Sequence, residues 1–499
     1  MKRIKQTHWD IVAFCFILVV ATALRLIRLG YQSEWNDEAI SAVIAGGSAR
    51  QILTNQFHSL HPPGYYLLLH FWRSLFGDTD FALRLPSALM GTTGVISMYF
   101  LGKSLFKRET GLWTAAITAL MPFHLFYSQE MRMYSQLFLL SSAAILCQAR
   151  LWRDKRNFWW SLYLLVSLLG LYTHYLFVLI VGVLGLYFIL RRWLTHTGPY
   201  WKYFFLIHVT MGILYSPIIL WIGDQWSGSS NYWIRGTNLA HFLSTPLAFT
   251  VGHFLDPISL QIGYGVILMV LIVTMLQAGR SLKQTSPDSF SLILVLMSYW
   301  LPVLIIFTVS ILWTPLTLPR LMMTAVPGLY LLLAWGATMP KEKVVNSILI
   351  VLLMLIGLLA DYNWLFNPRY AKPPAREAAL FLQEKALPQE AIVHANDSGF
   401  RLFSRYAPQL DHRLILEDNN NPQIHPDVFR MMGGEIISAD DLPAENFWLV
   451  LYQDFNIETQ ENLFRRFDER YTRLAYYNIG GIRMYRYRAS SEGATQRSP

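Results

Sequence analysis

Apolar runs of roughly 17 to 25 residues, each long enough to cross a bilayer as a helix, recur along this chain as far as Asp361 and then cease. The breaks between them carry basic clusters: Lys2/Arg3/Lys5, Lys103/Lys107/Arg108, Arg150/Arg153/Lys155/Arg156, Arg191/Arg192/Lys202, Arg280/Lys283 and Lys341/Lys343. Short basic loops stay on the cytoplasmic side, so the spans between these clusters come in pairs. The pattern predicts eleven spans, near 9–29, 84–103, 110–127, 134–151, 158–173, 175–191, 204–222, 258–278, 288–312, 318–338 and 344–360. The N-terminus is then cytoplasmic and the C-terminus outside. The first run is expected to be a retained helix rather than a cleaved signal peptide, because Arg25 and Arg28 follow it directly.

One apolar run is set aside. Tyr65 to Phe76 is short, contains His70 and Arg73, and as a span would put Lys103/Lys107/Arg108 outside. It is expected to lie as a helix at the outer interface. So is Asp37 to Ala45, whose Ile40, Val43 and Ile44 share one helical face. Tyr31 to Arg84 becomes one external loop with two surface-lying helices, and Asp224 to Asp256, with Trp226 and Trp233, reads as an interfacial lid. Beyond Asp361 the pattern predicts a helix over Ala375–Lys385, strands at Ala391–His394, Phe447–Tyr452, Leu474–Ile479 and Ile482–Tyr487, and a helix between Glu458 and Arg470. The expected architecture is a mainly α, polytopic membrane protein. It has a transmembrane module over 1–361, a small extracytoplasmic α/β domain over 362–489 and a disordered tail over 490–499.

Composition sharpens this. Of 499 residues, 54% are hydrophobic and only 15% charged, against about a quarter charged in soluble proteins. The net charge of +9 sits in loops between spans, so it marks topology rather than nucleic acid. Cys15 and Cys147 lie inside apolar runs and imply no disulfide framework. The chain has no GxGxxG after a strand and no GxxxxGK[ST], so a nucleotide-linked donor is not expected.

The candidate chemistry gathers at the predicted outer face. Asn36-Asp37-Glu38 opens the first external loop. Two readings fit: a solvated helix start capped by Asn36 or Asp37, or a general-base carboxylate. Adjacent helical side chains point about 100° apart, so only one of Asp37 and Glu38 would face a reacting centre. His61 precedes Pro62-Pro63, which suit a helix start. It is either a surface residue or a contact to phosphate or metal. His58 lies three residues away, but nothing completes a metal site, which leaves a divalent cation open and unindicated. Arg132, in Tyr127-Ser128-Gln129-Glu130-Met131-Arg132-Met133-Tyr134, stands at an external junction where arginine is disfavoured. It either snorkels or holds a phosphate. Arg320 invites the same reading more weakly, and Tyr172-Thr173-His174-Tyr175 is a tight turn or an arm of the same site.

Together the DE pair, HPPGYYLLLHFW from His61, FALRLPSALMG from Phe81, PFHLFYSQEMRMYSQ from Pro122 and GLYTHY from Gly170 are recognisable. They resemble bacterial membrane glycosyltransferases of family 39, relatives of the protein O-mannosyltransferases and lipid A aminoarabinose transferases with the GT-C fold. The resemblance is close from Arg25 to Tyr175, looser through Arg320 and architectural beyond Asp361. It implies inverting transfer of a sugar from a polyprenyl-phosphate carrier to an extracytoplasmic lipid or glycan, in the inner membrane. By carry-over Asp37, beside Glu38, is the catalytic base, and His61, Arg132 and Arg320 bind the donor phosphate. Tyr65, Glu130, Tyr134 and His174 belong to the substrate cavity. Relatives with lysine before the proline have a permanent cation there, which His61 does not supply. A flippase or transporter for a lipid-linked glycan and a non-catalytic scaffold are the alternatives. Transporters place ionisable residues within spans, whereas here they collect at the outer ends.

Overall fold

The computed structural model describes residues 2–57, 59, 61–154, 156–226, 236–252, 254–283, 287–339, 343–416, 426–438, 446–452, 465 and 467–489. In chain order the helices are α1 (Lys2–Leu26), α2 (Asn36–Gly46), α3 (Ala49–Leu53), α4 (Gly64–Phe76), α5 (Asp80–Leu105), α6 (Arg108–Leu120), α7 (Pro122–Ser128), α8 (Tyr134–Leu151), α9 (Phe158–Thr173) and α10 (Phe177–Thr195). They continue with α11 (Trp201–Trp226), α12 (Leu239–Thr250), α13 (Pro257–Leu282), α14 (Pro287–Leu312), a 3-10 turn (Pro319–Ala325), α15 (Val326–Gly336) and α16 (Lys343–Phe366). The remainder is α17 (Ala375–Lys385), β1 (Ala391–His394), α18 (Asp397–Tyr406), β2 (His412–Leu416), α19 (Pro426–Met431), β3 (Glu435–Ser438), β4 (Phe447–Leu451), β5 (Tyr471–Ile479) and β6 (Ile482–Ala489).

Two compact units emerge. The first comprises residues 1–29, 60–68 and 84–370, and the second 30–59, 69–83 and 371–499.

The first unit is helical. Every one of the eleven expected spans falls on a helix, and six helices are both long and apolar enough to cross a membrane: His8–Leu26, Phe177–Thr195, Trp201–Ile219, Pro257–Leu282, Ser289–Leu312 and Lys343–Phe366. Their outward residues, such as Trp9, Phe16, Ile213 and Leu268, are exposed and apolar, as a lipid-facing surface requires. By contrast α15 is buried along its whole length.

Two expected spans are broken. The run 110–127 divides into α6 and α7 because Met121, before Pro122, takes extended backbone (φ −80°, ψ 122°), the conformation a following proline imposes. The run 318–338 begins as a 3-10 turn kinked at Met322 before α15, which has a proline in its first turn. Hydropathy does not register either proline. The stretch Asp224–Asp256 also holds α12, capped by Asn238, which was not anticipated, while residues 227–235, including Trp233, lie outside the described residues.

The second unit is α/β. Its sheet order is β3-β2-β1-β4-β6-β5, parallel from β3 to β4 and antiparallel at the β5–β6 hairpin. β1 and β4 are buried at every position, which explains their uninterrupted apolar sequence. On one face Ala39 of α2 packs in a core with Ala375, Ala378, Leu402, Trp448 and Tyr452. The other face is closed by Val393, Phe447, Leu449, Phe467 and Tyr487. The loop helices therefore belong to the same core as the C-terminal sheet. α3, α18, β2 and β3 escaped the sequence reading. The expected helix 458–470 lies mostly outside the described residues, as does the tail from 490.

α4 has 13 residues, about 20 Å of helix against a hydrocarbon core of about 30 Å. Its polar groups are engaged by the neighbouring segment: His70 Nδ1 lies 3.0 Å from Ala45 O, and Arg73 donates to Asp78 at 2.6 Å. Excluding this run as a span is consistent with both facts.

Candidate functional site

In the helical unit, the turn between α9 and α10 meets the segment entering α4. Gly64 makes this contact: a Cβ there would stand 2.6 Å from Tyr172 O, closer than any side chain allows. The consequence is that His61 lies beside His174 and Tyr175, with ring centroids 4.9 and 6.1 Å away. His174 is fully buried, and its Nδ1 accepts from Leu176 N at 3.1 Å. Its remaining ring proton is therefore on Nε2, which has no partner among the described residues.

Arg132 stands in the non-helical turn between α7 and α8. Its backbone N donates to Glu130 O at 2.7 Å, and its guanidinium lies over the Tyr134 ring at 5.9 Å. Ser87 donates to Arg132 O (3.1 Å), and Tyr65 reaches Ser87 at 3.4 Å. Tyr65, Glu130, Arg132 and Tyr134 are all buried. Arg320 sits on the 3-10 turn, which packs against α8 and α10.

These groups share one electrostatic field. Burial, then His174, Arg132 and Arg320, hold the half-buried His61 well below the ordinary histidine range. Burial and Arg132 hold His174 down at about 3, and burial lifts Tyr175 to about 12. Near neutral pH both imidazoles are uncharged hydrogen-bonding groups, and the positive charge belongs to the two arginines. That is an anion site built from fixed cations and neutral donors.

Asp37 and Glu38 lie in the second unit. The N-cap of α2 is Trp35, which offers no side-chain acceptor, so the reading of Asn36 or Asp37 as the cap does not hold. Both carboxylates sit inside the first helical turn, where the helix dipole favours them. Glu38 is fully buried against Lys372 Nζ at 2.8 Å. Asp37 is half-buried and lies within electrostatic reach of Arg401.

The sequence reading missed the groups around them. Arg405 grips Glu34 with Nε at 2.7 and 2.8 Å and also binds Asp78. Tyr406 donates to Asp80 at 2.9 Å, which Arg376 also meets at 3.1 Å. The available signal was the spacing Asp397, Arg401, Arg405, a charged stripe at four-residue intervals.

A second omission is internal to the helical unit. Arg25, fully buried, donates to Ala21 O, Thr118 O and His124 Nδ1. Gln129 donates to Leu24 O and Ile27 O and accepts from Trp364. Among the described residues no group of three or more His, Cys, Asp or Glu could hold a metal ion, and His58 lies outside them.

The fold is that of the GT-C membrane glycosyltransferases. ArnT from Cupriavidus metallidurans, in the apo state, superimposes with a TM-score of 0.62 at 12% identity, over 97% of this chain and 98% of that one. The same protein bound to undecaprenyl phosphate gives 0.60 at 12% identity, over 96% and 98%. The apo oligosaccharyltransferase of Archaeoglobus fulgidus gives 0.55 at 10% identity, over 81% of this chain and 64% of that one. In sequence, residues 60–221 match the family described as dolichyl-phosphate-mannose-protein mannosyltransferase. No curated protein matches the chain. The matched segment holds His61, Tyr65, Glu130, Arg132, Tyr134 and His174, and excludes Asp37, Glu38 and Arg320.

Proposed function

We propose that this protein is an inverting glycosyltransferase that moves a sugar from a polyprenyl-phosphate carrier to an extracytoplasmic lipid or glycan. The observation that carries the reading is the grouping of Arg132 with His61 and His174 inside the family-matched segment. Two arginines and two neutral imidazoles suit a phosphate that is anionic before and after transfer. The crystallised ArnT bound to undecaprenyl phosphate lends the donor class. In this reading Asp37 takes the proton of the acceptor hydroxyl as it attacks the anomeric carbon. The carbon–oxygen bond to phosphate breaks, and the departing phosphate keeps the electron pair under the charge of Arg132 and Arg320. Glu38, committed to Lys372, takes no part in the proton transfer. The N-terminus is cytoplasmic and the C-terminal domain outside.

The test is transfer from a radiolabelled polyprenyl-phosphate sugar by the purified protein. Asp37→Asn should lower turnover by about 100- to 10,000-fold, the usual worth of a general base, while donor binding persists. Undiminished turnover in Asp37→Asn would remove Asp37 from the chemistry. Absence of any transfer or donor binding by the parent protein would favour the scaffold reading.

A further inference from the structure

We infer that the C-terminal segment supplies positioning residues for the reaction, with Arg401 and Lys372 fixing the helix that presents Asp37. This rests on the reading of Asp37 as the base.

α2 has only 11 residues, too few to hold helical form in water on propensity alone. Its placement must come from what it packs on and what grips it. Ala39 is sealed in the core of α17, α18 and the sheet. The two neighbours of Asp37 are each held by a cation from far along the chain. Arg401 Nη1 donates to Asn36 Oδ1 at 2.6 Å, and Lys372 Nζ to Glu38 Oε2 at 2.8 Å. Arg401 is itself held, its Nη2 donating to Asp397 Oδ2 at 2.8 Å, and it is almost fully buried.

Buried ion pairs of this kind contribute little net stability, because desolvation offsets their attraction. They contribute geometry. With the side chains on both sides of Asp37 fixed, the direction of its own Cα–Cβ bond is fixed as well. A misplacement of about 1 Å at a reacting group costs on the order of 100-fold in rate. Lys372 and Arg401 are therefore positioning residues, remote from the bonds that change.

The experiment uses the full chain in detergent or nanodiscs, with turnover and amide hydrogen exchange measured on the same preparations. Arg401→Gln should lower kcat by about 10- to 100-fold with the donor KM within twofold. Amides of α2 should exchange faster, while those of β1 and β4 stay protected. Asn36→Ala removes the same contact from the α2 side without touching the C-terminal segment, and should give the same split if Arg401→Gln fails to fold. The double variant should be no worse than either single one, because both delete one interaction. Arg401→Lys should recover part of the turnover. Parent-like kcat or unchanged α2 exchange in both single variants, with Asp37→Asn inactive, overturns the positioning role and leaves the proposed function standing. Full activity of Asp37→Asn overturns the proposed function and with it the catalytic purpose of the clamp.

Discussion

His61 occupies the position at which relatives with lysine would present a permanent cation. In this chain the imidazole is held neutral by burial and by His174, Arg132 and Arg320. The burden of binding a phosphate therefore falls on the guanidinium groups. Arg132→Ala should weaken binding of the polyprenyl-phosphate sugar by roughly 10- to 100-fold, the worth of one or two charge-assisted hydrogen bonds. Arg132→Lys should stay clearly impaired, since an ammonium does not reproduce a planar two-pronged contact. Donor affinity measured by equilibrium binding decides this. Parent-like affinity in Arg132→Ala would make Arg132 an anchor and move the phosphate site towards Arg320. The same residues show what a single sequence reveals: His61, Arg132 and His174 stood out because each interrupts or ends an apolar run. Lys372 and Glu38 did not stand out as a pair, because 334 positions separate them.

Among the elements, the junction of α4 with the α9–α10 turn is the most sharply determined. Gly64→Ala would drive a methyl group into the Tyr172 carbonyl. Moving either backbone is expected to cost about 1–3 kcal/mol, the range for overpacking a close contact, and to separate His61 from His174. The expected result is a lower apparent Tm together with weaker donor binding, whereas an exposed control such as Gly77→Ala should change neither donor binding nor the α4 contact. Element boundaries were legible where local chemistry sets them. α17 and β1 were anticipated at their observed limits, one following Pro373-Pro374 and the other a short apolar run. α18 was missed because its buried Phe400, Leu402 and Phe403 alternate with Arg401 and Arg405, and β2 because His412 and Arg413 open it. The prolines that divide the α6–α7 and α15 runs were invisible to hydropathy. α2 and α4 were found, but their membership in the C-terminal core was not, since nothing local to either helix encodes it.

For the whole molecule, the buried histidines set a direction for acid stability. His61 and His174 in the helical unit, and His394 and His412 in the α/β unit, all have values lowered chiefly by burial. Below the ordinary value of 6.5, the unfolded chain binds protons that the folded chain refuses. Stability is therefore complete above that value and lost as pH falls, by up to about 1.4 kcal/mol per pH unit for each such histidine. Glu34, lifted by burial to about 7, acts in the opposite sense between 4.5 and 7, where the folded state binds the extra proton. The apparent Tm in detergent should fall below pH 6.5, and Glu34→Gln should make the fall steeper. A flat profile from pH 7 to 5 in both proteins would contradict the assignment.

The second unit is also discontinuous in the chain: residues 30–83 supply its early parts, and the rest begins at 371. A ribosome adding about 5–20 residues per second needs roughly 15–60 s to make the intervening 288 residues (371 − 83). Throughout that interval Glu34 and Glu38 have no Arg405 or Lys372 to meet, and Ala39 has no sheet to cover. The acidic loop must wait, hydrated and open to proteases or chaperones, while the helices after it are synthesised. A chain that terminates early cannot complete the setting of Asp37, so assembly of this part of the enzyme is tied to the last quarter of translation.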